Sequence, residues 1–122
     1  MKTHAVEHLF GDRKAALKLF QHVQHYIEGL GNIKMAVAKT QVSFGTKRKF
    51  AWVWLPQMWI KKQPENSIVL TFALDRQVRD KRIKEIVEPT PGKWTHHVVI
   101  QDRADFDDKV RSWVLEACKK SA

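Results

Sequence analysis

The stretch QVSFGTKRKFAWVWL, residues 41–55, decides the architecture. Two apolar-rich arms flank Gly45-Thr46-Lys47-Arg48, a glycine-led polar tetrapeptide suited to turning one strand back on the next. Successive side chains of a strand point to opposite faces. In the second arm, Lys49–Leu55, Phe50, Trp52 and Trp54 therefore share one face, and Ala51, Val53 and Leu55 share the other. Both faces are apolar, which predicts an interior strand covered on both sides. Pro56, which lacks an N–H for the ladder, ends it.

Upstream, Met35–Lys39 reads as a further short strand. Before it, Leu17, Phe20, Val23 and Ile27 recur at helical spacing and predict a helix over about 12–28, with Asp12 as its N-cap and Gly29 and Gly31 at its end. Val6, Leu9 and Phe10 mark a short opening helix that Gly11 stops. Downstream, Ile68–Leu74 is a strongly apolar strand. Asp75 to Lys84 is charged and reads as a loop or one helical turn, and 83–87 as a short strand. Pro89-Thr90-Pro91-Gly92 is a turn leading into the strand Trp94–Ile100. The closing helix places Phe106, Val110, Trp113, Val114 and Ala117 on one stripe. Asp105, Asp107 and Asp108 lie at its start and Lys119 and Lys120 at its end, each complementing the helix dipole. Helices, then strands, then a helix specify an α+β fold in two layers. The expectation is N-terminal helices, an antiparallel meander of about five strands and a C-terminal amphipathic helix on the sheet, in one domain spanning 1–122.

The chain has 122 residues, is 43% hydrophobic and carries a formal net charge of +9. That charge is local. Residues 34–64 hold seven cations (Lys34, Lys39, Lys47, Arg48, Lys49, Lys61 and Lys62) and no Asp or Glu, while the remaining segments nearly balance. Such a patch is an electrostatic footprint for phosphates or an acidic partner, and equally the mark of a solvated face. No apolar run approaches the roughly 20 residues of a membrane helix. The single cysteine, Cys118, cannot form an internal disulfide, and the first ten residues lack the apolar core of a secretion signal. A cytoplasmic protein without a membrane role is expected.

The candidates for chemistry are few. His4-Ala5-Val6-Glu7-His8 matches an inverted zinc-protease pattern, with two imidazoles on one helical face. It starts at residue 4, in a chain with little room for a protease cleft, and is read as a polar helix face. His22 and His25 are read as solvated. His96 and His97 are adjacent in a strand, so they face opposite ways and cannot grip one metal. His96 reads first as a hydrogen-bonded core histidine, and more sharply as a base or ligand contact. Asp107-Asp108 is explained by the helix dipole, and Ser43 and Cys118 have no identifiable base. No catalytic set, metal site or cofactor is expected. The basic segment interleaves cations with Phe50, Trp52, Trp54 and Trp59, as single-strand binders do. Aromatics at period two are also what a buried sheet face looks like, and that reading takes precedence.

Glu7-His8 followed by Gly11, Phe50-Ala51, Trp94-Thr95-His96-His97-Val98, and Asp107-Asp108 with Trp113, Glu116 and Ala117 resemble an uncharacterised bacterial family. Its members are described only as a domain of unknown function, some loosely as predicted transport proteins. The similarity runs over nearly the whole chain. The resemblance implies a small α+β fold and, through relatives beside or fused to predicted endonuclease domains, a role linked to nucleic acid. It supplies no catalytic residues, and nothing in the chain can span a membrane as transport would require.

Three functions follow. The leading one is a non-enzymatic module binding nucleic acid or another polyanion through Lys47, Arg48, Lys49, Lys61 and Lys62, with Trp59 stacking. The second is a small-ligand pocket or weak enzyme built on Arg82, His96 and His97. The third is a homo-oligomeric or partner-binding module using an aromatic sheet face; a dimer is compatible with the sequence, and the oligomeric state stays open.

Overall fold

The computed structural model describes residues 2–55 and 66–122, with the side chains of residues 2–5 excepted. Trp59, Lys61 and Lys62, as well as the side chain of His4, lie outside the described residues. Helix α1 (Lys2–Phe10) is closed by Gly11, whose φ of 59° lets its N–H reach the Glu7 carbonyl at 2.8 Å. Helix α2 (Lys14–Glu28) follows, burying Ala16, Leu19, Phe20, Val23 and Ile27. Its cap differs from expectation. Arg13 occupies the cap position and no side chain caps the helix. The tight turn after Gly11 draws the Arg13 N–H to the Phe10 carbonyl and the Lys14 N–H to the Asp12 carbonyl, so Asp12 contributes its backbone rather than its carboxylate.

Six strands form one antiparallel sheet: β1 (Lys34–Val37), β2 (Gln41–Gly45), β3 (Lys49–Trp54), β4 (Ile68–Leu74), β5 (Ile83–Thr90) and β6 (Lys93–Ile100), in the order β1-β2-β3-β4-β6-β5. The first four are a meander. The expected fifth and sixth strands are longer than the sequence pattern showed, because both run up to a two-residue Pro91-Gly92 turn with Gly92 at φ 79°. Pro89 is tolerated because β5 is the edge. A single turn of 3-10 helix (Arg103–Asp105) then precedes α3 (Asp108–Ser121). Asp102 caps that turn, accepting from the Ala104 N–H at 2.9 Å, while Asp105 accepts from the Asp102 N–H at 3.0 Å; Asp107 is the N-cap of α3, accepting from the Val110 N–H at 3.0 Å.

All three helices lie on one face of the sheet. Phe20 of α2 lies 6.2 Å from Phe44, and Trp113 of α3 stacks on Phe72 at 5.8 Å. The two helices meet where the Tyr26 hydroxyl donates to the Arg111 carbonyl and Arg111 lies over the Tyr26 and Phe106 rings. The core joins these helices to Val42, Phe44, Ala51, Val53, Leu70, Phe72, Val98 and Ile100.

β3 lies inside the sheet, between β2 and β4. Trp52 and Trp54 are half-buried and stand outside the core that the helices share, on the opposite face. The grouping of Phe50 with them is corrected. The β2–β3 register shifts at Phe44/Gly45, so that Gly45 pairs with Lys49 but Phe44 with Ala51. The extra residue turns Phe50 into the core beside Ala51, where it is 1% exposed.

The connection between β4 and β5 decides where the histidines go. β4 and β5 both neighbour β6, so residues 75–82 must cross β6 to start β5 on its far side. Val78 is buried in this crossing, and its N–H donates to Nε2 of His96 at 3.0 Å. Three ion pairs fasten the crossing and the start of β5 to the last helix and its cap: Arg76 with Glu116, Asp80 with Lys109, and Arg82 with Asp107.

Candidate polyanion-binding site

The β2–β3 turn is built tightly. A Cβ on Gly45 would lie 2.9 Å from the Arg48 carbonyl oxygen, so only glycine fits, and the Thr46 N–H closes on that same oxygen at 3.0 Å. Two contacts pin the turn to the end of α3. Thr46 Oγ1 and Ser121 Oγ share a hydrogen bond, and the Arg48 guanidinium donates to the Lys120 carbonyl at 3.0 Å. That carbonyl is at the negative end of the helix dipole, where a cation belongs.

Beside the turn is a cleft of about 290 Å³. The hairpin lines it with Arg48, Lys49 and Phe50; the end of β4 with Ala73, Leu74 and Asp75; the β5–β6 turn with Gly92 and Lys93; and α3 with Ala117, Lys120 and Ser121. Four cations from three separate segments thus surround one carboxylate. Asp75 pairs with Lys120 at 3.1 Å, both more than half exposed. Lys49 and Lys93 are exposed and make no ion pair with a described residue, and the same holds for Lys47 at the tip of the turn.

The structure keeps Lys47, Arg48 and Lys49 together, as the sequence suggests, and adds Lys93 and Lys120. Local charge counting missed both. Lys93 sits in a segment that nearly balances, and Lys120 is accounted for by the helix dipole. Only the sheet order brings the two hairpin turns beside the end of α3.

Arg82, His96 and His97 are not brought together. Arg82 is held between Asp80 and Asp107, both at 3.0 Å. His96 is fully buried on the helix face, stacked on Phe72 at 5.1 Å. Burial holds its pKa below the ordinary range, against an opposing pull from the Phe72 and Trp94 backbone. Its Nε2 accepts from Val78, so that nitrogen carries no proton. His97 is buried on the opposite face, with Nδ1 2.6 Å from the Thr71 hydroxyl. Burial, and secondarily the adjacent His96, push its pKa down to about 4. Both imidazoles are neutral at pH 7. Burial also pushes the Cys118 thiol up, away from the reactive thiolate. Among the described residues, no group of three or more His, Cys, Asp or Glu is placed to hold a metal ion, and no helix is long and apolar enough to cross a membrane.

The Trp94–Val98 segment and the closing helix meet in the fold. His96 of the Trp94–Val98 strand and Trp113 of the closing helix stack on the two sides of a shared neighbour, Phe72, while Glu116 grips Arg76 of the crossing with both carboxylate oxygens. The family model described as "Domain of unknown function (DUF5655)" matches residues 5–120. The chain belongs to that family. No curated protein and no solved structure matches it. Within this chain, these contacts fasten the β4–β5 crossing to α3.

Proposed function

We propose that this DUF5655 protein is a non-enzymatic module that binds the phosphates of a nucleic acid at the basic end of its sheet. The observation that supports this is the convergence of Arg48, Lys49, Lys93 and Lys120 on one cleft, with Lys47 at its rim and Asp75 as the single carboxylate among the lining residues. Cations gathered from three segments supply a field that, among the described residues, only the Asp75–Lys120 pair offsets. A phosphate backbone presents the complementary charge at regular spacing. The two buried neutral histidines on opposite faces, with Arg82 already paired, give the enzyme reading no convergent site.

Anisotropy of a labelled oligonucleotide, titrated over a range of salt, tests the proposal. If about five phosphates are neutralised, log K against log salt falls with a slope of about −3.5 for a single strand and −4.5 for a duplex. Replacing Lys47, Arg48 and Lys49 together by Ala weakens binding and flattens the slope by roughly 2 to 3. Absence of binding to any polynucleotide at low salt removes the proposal.

A further inference from the structure

The basic cleft is small and has an apolar floor under a cationic rim. Phe50, Leu74 and Ala117 form the floor and are buried, while Arg48, Lys49, Lys93 and Lys120 form the rim and are exposed. The sheet order sets the spacing of the rim. Lys49 begins β3 and Lys93 begins β6, and β4 lies between those strands, ending at Leu74. Two strand spacings, about 10 Å, therefore separate the two lysine backbones across the end of β4. The end of α3 closes a third side, where the Lys120 carbonyl fixes the Arg48 guanidinium at 3.0 Å. Leu55 and Asn66, which border the undescribed residues, are at the other end of β3 and β4, about 20 Å along the strands from Lys49.

We propose that this cleft takes the terminal phosphate of a nucleic-acid strand, a phosphomonoester at an end, in preference to the phosphodiesters along its length. This rests on the polyanion reading above and names the part of the ligand that the site holds. Charge supports it. Four cations against Asp75 leave a surplus of three positive charges around about 290 Å³. Glu88 of β5 is engaged by the Gly92 N–H at 3.0 Å and does not line the cleft. A phosphodiester brings a single negative charge, whereas a phosphomonoester brings about −1.5 to −2 at pH 7 and three acceptor oxygens. Arg48 spends one N–H on the Lys120 carbonyl and makes no other hydrogen bond to a described residue, so the rest of its fork is free for those oxygens. Shape supports it as well. Cations strung along a groove suit a run of phosphates, but here they ring one volume at the lower limit of small-ligand pockets. A terminal phosphate enters with one ester arm trailing outside; an internal phosphodiester must bring two arms past the same rim. The apolar floor gives a second phosphate nothing to bond.

The test measures one oligonucleotide sequence in four forms by competition anisotropy: phosphorylated at its first nucleotide, phosphorylated at its last, hydroxyl-ended at both, and ligated into a circle. For the proposal, a phosphorylated form binds roughly 10- to 100-fold tighter than the hydroxyl-ended form, and the circle binds no tighter than the hydroxyl-ended form. Comparing the two phosphorylated forms shows which end is taken. The double variant Lys49→Ala, Lys93→Ala abolishes the preference, while Lys47→Ala, at the rim outside the cleft, weakens all four forms alike. Asp75→Asn, which takes the carboxylate out of the ring, strengthens binding of the phosphorylated form. These positions are exposed, and urea midpoints check that the variants stay folded. Equal affinity for phosphorylated, hydroxyl-ended and circular forms, or a preference that survives the double lysine variant, overturns the terminal-phosphate proposal and leaves the polyanion reading standing. Failure of all four forms to bind at low salt removes the polyanion reading itself.

Discussion

Acid should unfold this protein early, and His97 supplies a measurable part of the effect. Its imidazole is 5% exposed, bonded to Thr71, and burial holds its pKa at about 4 against an ordinary value of 6.5. Because the folded value lies below the unfolded one, the unfolded chain takes up the proton first. Stability is therefore intact above pH 6.5, falls as pH drops below it, and stops falling on this account below about pH 4. A gap of about 2.5 pH units at 1.36 kcal/mol each costs about 3 kcal/mol in full, of which about 2 kcal/mol is lost by pH 5. Against a typical total of 5–15 kcal/mol, that is a large share. The assay is urea unfolding of wild type and His97→Asn between pH 7.5 and 5, with Asn chosen because its amide can keep the bond to Thr71 without titrating. His22, whose pKa burial also lowers, is common to both proteins and cancels in the difference, and His96 enters it only through its secondary push on His97. Asp80, held at about 2 chiefly by its backbone bond to Arg82, titrates below the window. The stability difference between wild type and variant should shrink or reverse by about 2 kcal/mol across that range. A difference that does not change with pH would refute the argument that His97 is held neutral by burial.

Gly45→Ala should cost more than an ordinary surface change, about 1–3 kcal/mol by urea unfolding, because its Cβ meets the Arg48 carbonyl and Lys49 Cα in a turn that cannot yield. The same variant should weaken polynucleotide binding, since it displaces Arg48 and Lys49. Lys93→Ala should reduce oligonucleotide affinity and lower the salt slope by about 0.7–0.9 with no change in urea midpoint. Phe72→Ala should cost about 3–5 kcal/mol in chemical denaturation, because it removes the ring between His96 and Trp113. Arg76→Ala, at a pair whose arginine is 55% exposed, should shift stability by no more than about 1 kcal/mol in the same assay.

Much of the fold is legible locally. The stripes of α2 and α3 and the apolar run of β4 are periodic over long segments, and the structure keeps them, except that Phe106 lies before α3 and is buried from the end of the 3-10 turn. What failed locally failed for identifiable reasons. The Asp12 cap lost to the Gly11 turn, which places Asp12's carbonyl, not its carboxylate, at the helix start. The shared face of Phe50 with Trp52 and Trp54 lost to a register shift of one residue, a feature of strand pairing that alternation within one strand cannot carry. The candidate site was half visible. Lys47, Arg48 and Lys49 are contiguous, while Lys93 and Lys120 reach the cleft only through the pairing of β4 with β6 and the docking of α3.

The amino-acid order by itself determined the helices, the strands, the basic turn and the opposition of His96 to His97, because each depends on neighbours a few residues apart. Tertiary structure alone decided that all three helices share one face, leaving Trp52 and Trp54 on the other, and that cations from three segments share one cleft. Those outcomes depend on which surfaces meet at long range, where hydrophobic burial and strand register act between residues that the chain keeps far apart.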